Sequence, residues 1–226
     1  MSGGPNVTDL ERLYANRFSE SDREAKQNLW RTLCQDFLKH YIPKDATVLD
    51  LGAGYCDFLN HINASRRIAV DLNPDTERFA APGVEVHRLP LERLGDVAAP
   101  GTVDLAFASN VFEHLRGPDS LLEILAATFQ ALKPGGRLLI LQPNIRLVGA
   151  SFWDFVDHTL PLTEKGMCEA LTMTGFTIEE VRARFLPYTT KGRHPKSPLL
   201  LRIYLKIRPL QWLLGKQMFL VARRPL

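Results

Sequence analysis

Thr47-Val-Leu-Asp-Leu-Gly-Ala-Gly-Tyr-Cys-Asp-Phe-Leu59, followed by Ile68-Ala-Val-Asp-Leu-Asn-Pro74, decides the fold. Thr47 to Leu51 is short and apolar, with β-branched residues at two places, which suits a strand buried on both faces. Gly52 and Gly54 then allow a sharp turn and a close approach of backbone to a ligand. The pattern predicts a helix from about Asp57. Ile68 to Val70 reads as a second buried strand with Asp71 at its carboxyl end. In open α/β sheets the strand ends line the ligand crevice. An acid about 20 residues after a glycine turn is placed to accept hydrogen bonds from ribose hydroxyls.

Two ligands suit such a turn, a dinucleotide and S-adenosylmethionine. A dinucleotide turn needs a third glycine for close helix packing, and that position is Asp57. The turn also opens with an acid, Asp50. A carboxylate there repels a pyrophosphate and attracts an ammonium and a sulfonium. The stretch resembles the Asp-x-Gly-x-Gly motif of class I S-adenosylmethionine-dependent methyltransferases. A structural strand-turn-helix without a ligand requires the glycines and both acids to coincide by chance.

Later marks extend the resemblance to about Ala46–Ala222. Val103 to Ser109 reads as a buried strand, and Asn110-Val-Phe-Glu-His-Leu115 resembles the family's Asn-x-x-Glu-His-Leu motif, which lines the cofactor pocket. Pro118 opens a helix with Leu122, Leu125, Phe129 and Leu132 on one face. Leu132-Lys-Pro-Gly-Gly136 ends it before a strand at Arg137–Gln142, the family's most recognisable later mark. Val84–His87, Thr177–Phe185 and Gln217–Ala222 read as the remaining strands, with a helix at Thr163–Thr174. The resemblance implies an α/β fold, a Rossmann-like seven-stranded mostly parallel sheet with helices on both faces. It implies S-adenosyl-L-methionine as cofactor, held by Asp50, Gly52, Gly54, Asp71, Leu72 and Asn110. The family often places an adenine-binding Asp after the third strand. Here that place is Leu89-Pro90, so no adenine contact is assigned.

The amino-terminal 45 residues read as helices that pack on the sheet or lid the cofactor; the methyltransferase domain follows over 46–226. Thr8 to Phe18 suggests a short helix. Ser21 to Glu24 resembles a capping box opening a longer one, with Leu29, Trp30, Leu33, Phe37 and Tyr41 at helical spacing and Pro43 closing it. Tyr14 and Arg17 are candidate lid contacts to the cofactor.

Methyl transfer needs a base only when the nucleophile arrives protonated. His40, His61, His87 and His194 read as surface or strand residues. His114 follows the fourth strand, beside the cofactor, and orients the pocket or serves catalysis. His158 follows the fifth strand in a loop rich in aromatics, Phe152 to His158. That loop sits over the methyl group in the family fold, so His158 is a candidate general base or substrate-lining residue. Asp154 or a distant acid is the candidate to orient its imidazole, because Asp157 is adjacent in sequence and need not face it.

The 226 residues suit one α/β domain. No signal peptide or apolar run long enough for a transmembrane helix is evident. Three scattered cysteines predict neither a metal site nor a disulfide framework. A cytoplasmic protein, with peripheral membrane contact as an open reading, is expected. Net charge is +3, but Val181 to Leu226 holds eleven Lys or Arg and no acid; the other residues hold 17 bases and all 25 acids, a net of −8. Leu186 to Lys216 lies where the family fold has a short hairpin, and is read as a helical insertion. Ser197-Pro198 begins a basic, apolar helix to Arg208, followed by Trp212, Leu213 and Leu214. It packs on the sheet edge or on a second subunit of a homodimer, or meets an anionic membrane or an acidic, lipid-linked substrate.

A NAD(P)-dependent oxidoreductase is disfavoured by Asp57 and by the absence of a Tyr-x-x-x-Lys pair. A non-catalytic protein that kept the fold is the other alternative. No nucleic-acid or protein methyltransferase motif is present, so the acceptor is read as a small molecule, glycan or lipid-linked group by fold analogy.

Overall fold

The computed structural model describes residues 20–188 and 197–226. Seven strands make one sheet in the order β3-β2-β1-β4-β5-β7-β6. They are β1 (Thr47–Leu51), β2 (Arg66–Val70), β3 (Val84–His87), β4 (Val103–Ser109), β5 (Leu132–Pro143), β6 (Thr177–Arg182) and β7 (Gln217–Arg223). β7 runs antiparallel to both β5 and β6; the other pairs are parallel. The order steps outward in both directions from β1 and β4, so their carboxyl ends form the crevice expected of such a sheet.

Alternation along each central strand feeds two cores. Leu49, Leu51, Ile68, Val70, Ala106, Leu138 and Ile140 face α3 (Pro118–Ala131) and α5 (Glu164–Met173). Val48, Ala69, Leu105, Phe107, Leu139 and Leu141 face α1 (Glu20–Asp36) and α6 (Pro198–Lys206). Both faces are covered, which is why these strands read as apolar runs rather than alternating ones. A short α2 (Asp75–Phe79), α4 (Ile145–Val148) and α7 (Arg208–Leu214) complete the elements used below.

Several details depart from the sequence reading. No α-helix begins at Asp57; turns lead into a 3-10 turn at Leu59–His61. Ser21 lies inside α1 rather than ahead of it. The buried face of α3 is Leu121, Ile124, Leu125, Thr128 and Ala131, one residue earlier than expected at its start, with Leu122 and Phe129 only partly buried. β6 ends at Arg182, and the insertion helix breaks at Ile207 into α6 and α7. Pro209 supplies the break: it suits the first turn of α7 and cannot continue α6. The expected helix at 8–18, Tyr14, Arg17 and His194 lie outside the described residues.

Candidate functional site

The turn after β1 is built for close approach. Gly52 has φ of 71° and Gly54 φ of 53°. A Cβ on Gly52 would stand 2.4 Å from Val111 Cγ2, so only glycine fits. A Cβ on Gly54 would meet nothing within 4 Å; it would fill the open space of the crevice. The N–H groups of Gly52 and Ala53 donate to the Val70 carbonyl at 2.8 and 3.3 Å, tying the turn to the end of β2. Gly54 is gripped on both sides: its N–H donates to Asp71 Oδ2 at 2.6 Å, and its carbonyl accepts from Thr76 Oγ1 at 2.7 Å. Asp71 Oδ1 accepts the N–H of Asn73 at 2.7 Å. Asp71 therefore shapes the turn as well as facing the crevice.

Three carboxylates converge here. Asp50 is buried within β1, opposite Ala69 and Phe107. Burial, then the charges of Asp71 and Asp57, pushes its carboxyl well above the usual range. Burial also raises Asp71, against the opposing N–H bonds from Asn73, Gly54 and Leu72. The negative field reaches Cys56, whose thiol is pushed up to about 12 by burial and by the same three acids. Among the described residues the only ion pair these acids make is Lys26 Nζ to Asp57 Oδ2, 3.2 Å. Lys26 lies on α1 and also sits 5.5 Å over the Tyr55 ring, so the first helix reaches the glycine turn. The sequence reading missed Lys26 because a lone lysine on a helix carries no sign of its distant partner.

An excess of carboxylate over cation suits a ligand with an ammonium and a sulfonium. It does not suit a pyrophosphate, and without a regular helix after the turn there is no helix N-terminus to receive one. The residues thus fit S-adenosylmethionine and fit a dinucleotide poorly. Leu72 is exposed beside Asp71. Asn110 closes β4 with φ of 50°, a rare conformation for a non-glycine residue. Its N–H donates to the Leu141 carbonyl at 2.9 Å. Near Leu89-Pro90 the next acid, Glu92, accepts from Ser120 Oγ at 2.9 Å.

The other wall is two chain segments zipped together. The 3-10 turn Phe112–His114 follows β4. The Glu113 carbonyl accepts the N–H groups of Thr159 and Leu160 at 2.8 and 3.1 Å, and Thr159 Oγ1 donates to the Leu115 carbonyl at 2.6 Å. His114 Nδ1 stands 3.1 Å from both the backbone oxygen and Oδ2 of Asp157. Burial works against the charged imidazole, but the Asp157 bond and the Glu113 and Asp157 charges outweigh it and raise its pKa. His158 is buried, stacked on Phe155 with centroids 4.8 Å apart, and its Nδ1 is 2.9 Å from the Phe152 carbonyl. The oxygen that orients His158 is thus a backbone carbonyl rather than Asp154, and Asp157 serves His114. The rings of His114 and His158 meet edge to face, centroids 5.0 Å apart. His40, His61 and His87 lie away from this group.

Two cavities of about 740 Å³ open elsewhere. One, lined by Cys34, Lys39, Asp45, His61 and Ser65, lies at the amino ends of β1 and β2, the far end from the glycine turn. The other lies between β6 and α7 and gathers Arg146, Arg182, Arg184, Arg208 and Trp212.

The model of a methyltransferase-domain family matches residues 22–181, and the chain belongs to that family. No curated protein matches the chain. Among solved structures, an Archaeoglobus fulgidus S-adenosylmethionine-dependent methyltransferase is 18% identical, with a TM-score of 0.60 over 87% of this chain and 94% of that one. A Thermotoga maritima S-adenosylmethionine-dependent methyltransferase gives 14%, 0.63, 96% and 95%. The complex between the Haloferax volcanii Trm112 methyltransferase activator and a methyltransferase gives 15%, 0.64, 91% and 94%. These likenesses show the fold. With the family and the fit of the crevice, S-adenosylmethionine is the expected cofactor of a methyltransferase.

Proposed function

We propose that this methyltransferase acts on an acceptor carried by an apolar, lipid-like anchor at an anionic surface. When bound, S-adenosylmethionine supplies a methyl group on a positively charged sulfur. Asp50 and Asp57 would hold its cationic end, the bare backbone at Gly54 would let it lie close, and Asp71 would accept from the ribose. Leu72 and Asn110 would border the adenosyl part. His114 and His158 would line the acceptor side. Each has its Nδ1 on an oxygen, which fixes the orientation of its ring. Phe152 and Phe155 exclude water around His158.

The observation that supports the lipid-linked acceptor is the number of large apolar side chains exposed in the His158 loop and in the insertion. Trp153 and Val156 of the His158 loop are exposed, as are Leu199, Leu200, Ile203, Ile207, Trp212, Leu213 and Leu214 of the insertion. The Phe155 ring lies 6.4 Å from that of Tyr188, at the start of the insertion. Single exposed apolar residues are ordinary, but seven within the sixteen residues 199–214 suit a binding or membrane surface. Four arginines and one carboxylate, Glu164, line the cavity beside α7, and that net positive lining suits an anionic headgroup or phosphate. Among the described residues no helix is long and apolar enough to cross a membrane, so contact would be peripheral.

Flotation with anionic and neutral vesicles tests the anchor, and calorimetry with S-adenosylhomocysteine tests the cofactor. Recovery with anionic vesicles that fades with salt is expected. Equal recovery on both kinds, or none at low salt, would remove the lipid-linked acceptor and leave α6 and α7 as a packing or dimer element.

A further inference from the structure

We propose that Glu113, His114 and His158 form a binding site for one divalent transition cation beside the cofactor crevice. No local spacing marks it, because its members come from two segments more than forty residues apart. Each residue offers one donor atom, and the three atoms lie within 4.8 Å of one another. Bonds of about 2.0–2.2 Å to a shared ion put neighbouring donors about 3–3.5 Å apart. Side-chain rotation of about 1 Å would therefore close the group around a cation.

Two features distinguish this from a chance cluster. First, each histidine has its Nδ1 on an oxygen acceptor: His114 on Asp157, His158 on the Phe152 carbonyl. Metal-ligating histidines are held in this way, with the second nitrogen turned to the ion. Second, the two segments are fastened to each other by backbone bonds from Thr159 and Leu160 to Glu113. The frame exists before any ion arrives. Glu113 and His158 are buried, and the Phe152 ring lies 4.7 Å from that of His158. Two imidazoles and one carboxylate suit zinc, cobalt, manganese or iron(II), whereas magnesium and calcium prefer all-oxygen shells. Three protein ligands leave a position open, the hallmark of a catalytic rather than a structural centre. Val111, two residues before Glu113, lies against Gly52, which places the group beside the glycine turn.

The binding stands independently; its use rests on the function proposed above. In that setting the open position would take the oxygen of an acceptor hydroxyl. The cation would lower the hydroxyl's pKa, so the proton could leave to water without a histidine base. The attacking oxygen would then form its bond to the methyl carbon as the carbon–sulfur bond breaks.

The test is a cobalt(II) titration of the chelator-stripped full-length protein, without cofactor, read by visible absorption and by calorimetry. One cobalt per chain with Kd of about 10 μM or tighter is expected, displaced by zinc and not by magnesium. Asp157→Asn, which keeps both proposed imidazoles, should weaken binding about 10–100-fold. His158→Ala should remove the visible band and the cobalt-dependent rise in unfolding temperature seen in the parent. No saturable binding below about 1 mM would overturn the site. Undiminished binding in both variants would also overturn it, as a cation held elsewhere. Should His158→Ala fail to fold, the half-buried Asp157→Asn variant still decides. Calorimetry with S-adenosylhomocysteine separates the two proposals: if that ligand binds and cobalt does not, only the cation site falls, and the reverse result removes only the methyl-transfer reading.

Discussion

Replacing Asp71 by alanine perturbs two things at once. The carboxylate holds the N–H of Gly54 at 2.6 Å and of Asn73 at 2.7 Å, and its remaining lone pairs are those assigned to the ribose. A hydrogen bond to a charged group contributes about 1.5–3 kcal/mol. Loss of one to the ligand therefore predicts about 10–150-fold weaker S-adenosylhomocysteine binding, since about 1.4 kcal/mol is tenfold. The freed Gly54 N–H also loosens the turn that the ligand must lie against, so the effect should fall toward the larger value. Asp71→Asn supplies an internal control. Its amide has one acceptor oxygen for two N–H donors, so one of the two backbone bonds is lost and the ligand still meets a neutral group. Its affinity should fall between those of the parent and the alanine variant. The assay is calorimetry with S-adenosylhomocysteine, run beside thermal unfolding to show that each variant is folded. Affinity within twofold of the parent in a folded Asp71→Ala protein would refute the assignment of Asp71.

Asp50→Asn should stabilise the ligand-free protein at pH 7 while weakening S-adenosylhomocysteine binding, because it removes a buried charge repelled by Asp57 and Asp71. Denaturant unfolding and calorimetry on the same variant check both signs. The raised carboxyls of Asp50 and Asp71 contribute stability that is present below the unfolded value of about 4 and is lost as pH rises through their raised folded values. Ligand affinity runs the other way and should weaken as pH falls through those values, in calorimetry across a pH series. Gly52→Ala should destabilise the fold, since its Cβ would meet Val111 at 2.4 Å with φ of 71°. Gly54→Ala should fold with a penalty of about 1–2 kcal/mol and lose ligand affinity, because its methyl enters open crevice; unfolding midpoints against calorimetric affinities separate the two.

The strands were legible because their chemistry is local. β1 and β4 fall at the residues expected from their apolar runs, and β3 at those expected from alternation. The helix after the glycine turn was misread because its signal came from the turn, not from its own residues. Asp57, Phe58 and Leu59 are pulled inward, Asp57 to Lys26 and Phe58 against Phe107 at 4.1 Å, and that packing overrides the helical pattern. The glycine turn was readable because Gly52 and Gly54 stand at positive φ, which their residue type anticipates. The partners of His114 and His158 were not. A backbone carbonyl has no residue identity, and the pairing of His114 with Asp157 depends on how the 149–158 loop folds back on the turn after β4.

The carboxyl-terminal third shows how far charge counting reaches. Its eleven bases without an acid suggested a free cationic surface, yet five of them have partners from earlier elements or from the backbone. Arg182 and Arg208 share Glu180, Arg202 pairs with Asp36 at 2.8 Å, and Arg223 reaches Glu179. Arg224 donates to the carbonyls of Phe129, Gln130 and Leu132. Arg182 also lies 4.7 Å over the Phe37 ring, and Tyr41 donates to Glu180 at 2.7 Å. Much of the imbalance is thus the second half of ion pairs whose acids lie on α1 and β6. Arg184, Lys206 and Lys216 form no ion pair among the described residues, and Arg184 sits 5.7 Å over the exposed Trp212 ring. Attraction to an anionic surface therefore rests on few described bases, each contributing about 1 kcal/mol. The exposed apolar face must contribute the rest. Trp212→Ser with Leu213→Ser, at residues 71% and 65% exposed, should abolish flotation with anionic vesicles and leave the unfolding temperature within about 2 °C of the parent. Lys206→Gln should shift only its salt dependence. If the serine variant floats like the parent, the face does not enter a bilayer and charge alone drives the contact.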